Sequence, residues 1–462
     1  MPSSVTHTYF AEEVFESLPL VYQKKLKGQK EYFKLFAQGS DPFMFYHFFI
    51  GKKAIEGKKI QHQLHTTKTR DFFCSIISYI QKNHLENQGE IMAYLYGYIC
   101  HYYLDLTIHP FIHYQAGKFD RKDKSTYSSN TLHQKIEYRI DSYIIQEKLK
   151  KNPKSFKSYQ YIFQVSKFSD SLEQIIDNVM EENYSIQNSS KIYLKSIWFM
   201  KKFWRYANYD PIGYKAFLYK IIDKLSPKYV TRLEELSFHT AITGEKYLNL
   251  EKESWCYPWD NSTYFQDSFF DLFQLAKDNA RKAIIKVTDI IEKGVLDSTQ
   301  CDQLFQNLSY STGLPCEENV EYRYFKEREA IIHPLAKKDY QNAFKIYQKC
   351  FHREFQKRNY FCFNKIIGLY KNNKLIGVCQ IDFIKNSFEN QKIAYLNSFC
   401  IDPTYQNKGY GNQFLKSIIL YCKRNNVDKI NLTSNKNRTY AHRLYLKNQF
   451  QKIDTTVFSR NI

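Results

Sequence analysis

The stretch YLYGYICHYYLDLTIHPFIHYQ, residues 94–115, is an apolar and aromatic run that also carries His101, Asp105, His109 and His113 at intervals of four. Residues four apart stack on one side of an α-helix, so this helix would aim three imidazoles and a carboxylate in one direction. Such groups are costly to bury without a partner, and a divalent cation supplies one. A lone histidine on an apolar helix is normally a satisfied core residue, so the reading needs more than this helix. TLHQKIEYRID repeats the pattern with His133, Glu137 and Asp141. Upstream, His7 lies near the start, Asp41 occupies a turn in QGSDPFMFY, and His65 in QLHTTKTRDFF sits just ahead of a helix start. Pro110 predicts a helix end at His109, which would turn His109 away from the His101–Asp105 face and toward a neighbouring ion.

Around these motifs lies a chain of 462 residues, long enough for two or three domains with their own cores. With 43% hydrophobic and 17% aromatic residues it is not a disordered chain. The net charge of +20 permits binding to nucleic acid or to an anionic membrane surface. The lysines are mostly interleaved with acids, and neither an RNP-type motif nor a paired Cys/His finger is present. The charge is therefore read as solubility and a mild attraction for phosphorylated substrates, with no specific nucleic-acid partner. None of the 10 cysteines forms a C-x-x-C pair, which suggests reduced thiols and an intracellular home. The N-terminus has no secretory pattern and no run reaches the roughly 18 apolar residues that span a bilayer. A cytoplasmic location and no transmembrane segment are expected.

Up to about residue 300 the apolar spacing is helical, as in 68–82, 90–108, 131–149, 172–182 and 265–292. Residues 150–168 read as a long internal loop, and 296–325 lose periodicity and read as a linker. Beyond about 328, short β-rich runs (365–370, 374–384, 392–401, 429–434) alternate with amphipathic helices (338–351, 411–425, 438–448), the mark of an α/β domain. The expected division is a helical domain over 1–300, a linker over 301–327 and an α/β domain over 328–462.

Asp41 in SDPFMFY, His65 in HTTKT, the H-Y-Y-L-D pair His101 and Asp105 with H-P beyond, LHQKIEYRID with His133 and Glu137, and the late segment WCYPW together carry a resemblance. Over about residues 2–298 the chain resembles the zinc-dependent phospholipase C family, whose all-α fold is shared with single-strand-specific zinc nucleases. The resemblance implies one zinc site of Asp41, His65, His101 and Asp105, and another of His133 and Glu137 with His109, His113 being held in reserve. It implies Asp105 bridging to a third ion that His7 helps to hold, and Asp41 as a catalytic carboxylate as well as a ligand. Two or three zinc ions would activate water against a phosphodiester, with phospholipid head groups among the candidate substrates. Secreted members use the mature N-terminal amine as a ligand. Here the Pro2 amine, exposed by loss of Met1, could take that place.

In NSFCIDPTYQNKGYGNQFLKSIILYCKR a strand leads into a Gly-rich turn and then a helix, an arrangement that aims backbone N–H groups at an anion. With KINLTS and NRTYAHRLYLKNQF downstream, residues 328–462 resemble a GNAT-type acyl-CoA N-acyltransferase. The resemblance implies acetyl-CoA contacts at Ile401, Gln406, Asn407, Lys408, Gly409, Tyr410, Gly411 and Arg438, with Gly409 and Gly411 leaving room for the pyrophosphate. Tyr445 is the implied acid for the departing thiolate. Gln449 stands where the family usually has glycine before Phe450. The expected protein is a bifunctional enzyme, a zinc-dependent phosphodiester hydrolase fused to an acetyl-CoA-dependent N-acetyltransferase acting on an amine. The alternative is an acetyltransferase whose zinc-stabilised helical domain is a non-catalytic substrate- or partner-binding module.

Overall fold

The computed structural model describes residues 4–47, 51–119, 126–225, 233–239, 244–293, 298–326, 330–335, 339–352, 366–371, 374–454, 456 and 460. Two compact units divide the chain, Met1–Lys326 and Glu327–Ile462.

The helical unit is organised around one 28-residue helix, Gly89–Ala116, in which Ile91–Tyr102 are all buried. A helix that is apolar on every side must be wrapped by others. The helices Ser4–Ser17, Lys30–Phe36 and Phe269–Lys293 pack around it. Phe269–Lys293 buries Phe269, Leu272, Phe273, Ala276, Ala280, Ala283, Ile284, Val287 and Ile291, the stripe its spacing predicts. Gly97 permits close packing: a methyl group there would lie 2.6 Å from Phe36 Cβ.

Several features depart from the sequence-based expectation. The helix runs through Pro110 instead of ending at His109. Proline forfeits one helical hydrogen bond, and here packing on all sides outweighs that loss. Within a region expected to be all-α, Trp255–Tyr257 (β1) and Asp260–Phe265 (β2) form an antiparallel hairpin. The 150–168 loop contains a short helix, Ser158–Ile162. Cys74 and Cys301 are joined by a disulfide with Cα atoms 6.2 Å apart, so the expectation of free thiols throughout fails at this pair.

Residues 298–326, most of them within the stretch 301–327 expected to be a linker, pack onto the helical unit. Phe305 and Tyr310 are buried, Tyr102 and Tyr103 donate hydroxyl hydrogen bonds to the carbonyls of Gln306 and Leu304, and Lys326 N–H donates to the Tyr114 carbonyl. The segment opens with a short helix, Ser298–Leu304, held by the Cys301 disulfide, and beyond it the anchoring is by backbone polar groups and isolated aromatic residues, which leave no helical period to detect. Residue 327 lies outside the described residues.

The second unit holds a five-stranded sheet in the order β3-β4-β5-β6-β7: Ile331–Pro334, Ile366–Lys371, Lys374–Asn386, Gln391–Ile401 and Lys429–Leu432. Neighbours from β3 to β6 are antiparallel, whereas β6 and β7 are parallel and joined through the helix Tyr410–Arg424. Phe414, Leu415, Ile418 and Cys422 of that helix close over Ile376, Ile381, Ala394 and Leu396 of the sheet. The strand β3 is an addition to the expected set.

Asp141, placed by its spacing beside His133 and Glu137, has a different task. Its carboxylate accepts from Val5 N–H (3.2 Å), Thr6 N–H (2.9 Å) and the Thr6 hydroxyl (2.6 Å), all buried. It thereby caps the first turn of Ser4–Ser17, favourably placed against the positive helix end. Asp141→Ala would leave two buried N–H groups without this acceptor. It should cost about 3 kcal/mol in denaturant unfolding, with a lowered midpoint as the readout.

Candidate metal centre and acyl-CoA site

Four elements deliver donors to one buried point. The capped helix Ser4–Ser17 brings His7, the turn Asp41–Phe45 brings Asp41, the end of Lys52–Thr66 brings His65, and Gly89–Ala116 brings His101, Asp105 and His109. Asp105 is the hub. Its Oδ1 lies 3.4 Å from His7 Nε2, and its Oδ2 lies 3.4 Å from both His65 Nε2 and His101 Nε2 and 3.8 Å from His109 Nδ1. Asp41 closes the ring, with Oδ1 3.5 Å from His65 Nε2 and 3.9 Å from His101 Nε2.

Three groups of donor atoms are close enough to share an ion: His7, His101 and Asp105; Asp41, His65 and His101; His109, His133 and Glu137. The last lies one helical turn along, where His133 Nε2 sits 2.9 Å from Glu137 Oε1. His109 reaches this group as expected, but from within the continuous helix. The His113 ring lies 4.9 Å from that of His133, outside all three groups. Pro2 lies outside the described residues.

The outer contacts orient the rings. His109 Nδ1 donates to the Tyr310 carbonyl at 2.6 Å, which leaves Nε2 as a lone-pair donor. His101 Nδ1 is 3.2 Å from the Ala37 carbonyl, and His65 Nδ1 is 2.9 Å from the Gln61 carbonyl. A carbonyl behind each imidazole is the support that metal-binding histidines need. Gly39, at φ 52°, lets the backbone pass His101: a methyl group there would lie 2.1 Å from His101 Cδ2. Tyr310 also donates its N–H to the His65 carbonyl at 2.9 Å and lays its ring against His65 and His101. Sequence spacing could not find Tyr310, Ala37 or Gln61, because they act through backbone carbonyls.

Burial drives the His101 and His113 imidazoles well below their ordinary range, and His109 down to about 3, so these rings are neutral. Burial alone would raise the Asp105 carboxyl, but His109 and His101 beside it outweigh that and hold it well below the usual range. Burial pushes the Asp41 carboxyl well above it. Among the described residues the His7 and His101 Nε2 atoms, Asp41 Oδ1 and both Asp105 oxygens have no hydrogen-bond partner. Five orphaned polar atoms facing one another are costly unless something cationic joins them. The donors are all imidazole nitrogen and carboxylate oxygen, which suits zinc.

In the second unit, β6 ends at Ile401, whose carbonyl accepts from Gln406 Nε2 at 2.8 Å, fixing the turn that follows. Asn407 and Gly409 take φ of 60° and 82°, and Gly409 opens the helix Tyr410–Arg424 with nothing within 4 Å of an added methyl group. Lys408 Nζ donates to the Thr404 carbonyl, and the Tyr410 hydroxyl is turned onto Lys371 Nζ. Gly411 lies inside the helix, where a methyl group would make an ordinary 3.6 Å contact with Leu444. Of these two glycines, Gly409 is the one with open space beside it. Arg438 holds its guanidinium 4.5 Å from the Phe351 ring centre. Tyr445 packs its ring against Phe399 and Phe450, and burial raises its phenol pKa.

Comparison with known proteins finds a family for part of each unit. The family model for zinc-dependent phospholipase C matches residues 6–190, and that for the GNAT acetyltransferase family matches residues 330–450. No curated protein shows significant similarity to the chain. Among solved structures, an aminoglycoside acetyltransferase from an uncultured soil metagenomic sample is 14% identical, covering 29% of this chain and 97% of its own (TM-score 0.27). Glucosamine-6-phosphate N-acetyltransferase from Arabidopsis thaliana is 11% identical, covering 29% and 99% (TM-score 0.23). A transcriptional regulator from Bacillus halodurans C-125 is 15% identical, covering 29% and 99% (TM-score 0.25). The chain thus joins a zinc-dependent phospholipase C domain, in its helical unit, to a GNAT acetyltransferase domain in its second unit.

Proposed function

We propose that the chain is a bifunctional enzyme, a zinc-dependent phosphodiester hydrolase coupled to an acetyl-CoA-dependent N-acetyltransferase. The observation that carries the first activity is the set of orphaned nitrogen and oxygen atoms around Asp105. Asp41, His65, His101 and Asp105 would hold one ion, His109, His133 and Glu137 a second, and His7 with His101 and Asp105 a third. Zinc bound there lowers the pKa of water and stabilises charge developing on phosphoryl oxygens. Asp105 spans the groups through its two oxygens. Asp41 Oδ1, turned toward His65 and His101, would be its donor to the first ion. The Tyr310, Ala37 and Gln61 carbonyls keep His109, His101 and His65 turned inward. His133 is the more open donor, with its side chain 19% exposed against 0% for His101 and Asp105, so a phosphoester would enter from its side.

That burial also favours a second reading, in which the ions only hold the helices together, since structural metal sites are closed and catalytic ones keep an open position. Asp105→Asn separates the two. It retains the side-chain volume while removing the bridging charge. The hydrolase reading expects phosphodiester turnover to fall by roughly three orders of magnitude or more. A wild-type protein that binds zinc but turns over no member of a phosphodiester panel would favour the closed structural site.

For the second activity, the N-terminus of Tyr410–Arg424 and the Gly409 turn are the anion-binding surface for acetyl-CoA. Tyr445, kept protonated by burial, is the donor to the leaving thiolate. Gly409→Val places a branched side chain in the open space and in left-handed backbone, so acetyl-CoA affinity measured by calorimetry should fall by roughly a hundredfold. Tyr445→Phe should leave that affinity within about twofold and lower kcat by roughly tenfold to a hundredfold. Equal kcat in the variant would remove Tyr445 from the mechanism.

A further inference from the structure

Two thiols meet beneath the turn that follows β6. Cys400, the last residue but one of β6, is buried, and Cys350, the last but one of the helix Tyr340–Phe351, is half-buried. Cys350 packs against the apolar cluster of Ala343, Ile346, Val378 and Cys400. The Cys400 and Cys350 thiols are hydrogen-bonded to each other, and the Cys350 S–H donates onward to the Ile401 carbonyl at 3.1 Å. That carbonyl also accepts from Gln406 Nε2 at 2.8 Å, and the same Nε2 lies 4.0 Å from Cys350 Sγ. The helix end is tied to the turn by charge as well. Lys349 Nζ is 3.2 Å from Asp402 Oδ2, and the Arg438 guanidinium lies 4.5 Å from the Phe351 ring centre.

The two sulfurs are unequal. The hydrogen bond from Cys400, helped by the Lys349 and Arg438 cations, holds the Cys350 thiol below its usual range against burial and Asp402. The bond to Cys350 and burial push the Cys400 thiol up. A half-buried thiol with cations beside it is the reactive partner, because the thiolate is the nucleophile. A second thiol already in contact behind it is placed to resolve the oxidised sulfur. Cys400 sits on a strand held between β5 and β7, so the helix end is the side that yields when the sulfurs approach.

We propose that Cys350 and Cys400 are a peroxide-sensitive modification site, forming a reversible disulfide that weakens acetyl-CoA binding, a consequence that rests on the reading of the Gly409 turn as the acetyl-CoA site. The Cys350 thiolate attacks one oxygen of hydrogen peroxide: an S–O bond forms, the O–O bond breaks, and the leaving hydroxide takes a proton to become water. The Cys400 sulfur then displaces hydroxide from the oxidised Cys350 sulfur, and the Cys400 proton leaves with that hydroxide as a second water. Two thiols have given two electrons to one peroxide. The new bond draws the sulfurs to about 2.05 Å and removes the Cys350 donor from the Ile401 carbonyl. It also shifts the helix end that carries Lys349 and Phe351, and with them their contacts to Asp402 and Arg438.

The test treats the full-length protein with hydrogen peroxide and reads the linkage by mass spectrometry of non-reduced peptides. A peptide joining Cys350 to Cys400 should appear, and dithiothreitol should abolish it. By calorimetry the oxidised protein should bind acetyl-CoA roughly tenfold more weakly than the reduced protein, because a preorganised turn has been disturbed. Dithiothreitol should restore the affinity. Cys350→Ser keeps a hydroxyl donor for the Ile401 carbonyl, so it should bind acetyl-CoA within about twofold of reduced wild type and lose its sensitivity to peroxide. No linked peptide, unchanged affinity in the linked protein, or a Cys350→Ser variant as sensitive as wild type overturns the proposal. A reduced wild type that binds no acetyl-CoA overturns the reading of the Gly409 turn and the coupling with it, a failure that the linked peptide, read without acetyl-CoA, keeps distinct.

Discussion

Asp105 is a carboxylate with no exposure to water, faced within 4 Å by four histidines from three helices. Everything else in the helical unit serves or tolerates that arrangement. A charge so placed is destabilising by several kcal/mol unless it is paired. Neither Asp105 oxygen has a hydrogen-bond partner among the described residues. A cation shared among the donors is the arrangement that turns this cost into cohesion, because it draws His7, His65 and Asp41 from separate segments onto the central helix.

The supporting structure makes sense in that light. Asp141 fixes the first turn of Ser4–Ser17, which sets His7 at its depth beside His101. Gly39 takes a left-handed conformation so that the backbone can pass the His101 ring. Segment 298–326 is tied down at Cys301, Tyr310 and Lys326, and its Tyr310 carbonyl orients His109. A segment with the composition of a connector therefore packs against the candidate metal centre, and the compact unit extends to Lys326 and not to about residue 300.

Much of the centre was legible in the sequence because helical geometry is local. The His101–Asp105–His109 series and the His133–Glu137 pair are one-turn repeats, and the structure puts them where one-turn repeats must go. Asp141 shares the repeat but not the task, since spacing fixes direction along a helix and not what waits there. Pro110 misled for a similar reason: the preference against proline is local, whereas the packing that overrides it comes from the whole unit. Segment 298–326 was illegible because its contacts are made by backbone carbonyls and single tyrosines. In the second unit the strand–turn–helix pattern read correctly, but of the two glycines expected to leave room, Gly409, with φ 82°, has open space while Gly411 packs toward Leu444.

X-ray absorption at the zinc edge, on the full-length protein loaded with zinc, tests the central claim directly. The donor set around Asp105 predicts a first shell of nitrogen and oxygen alone at about 2.0–2.2 Å, with the outer-shell scattering of imidazole. A sulfur shell at about 2.3 Å, or a protein that retains no zinc after loading and desalting, would contradict it.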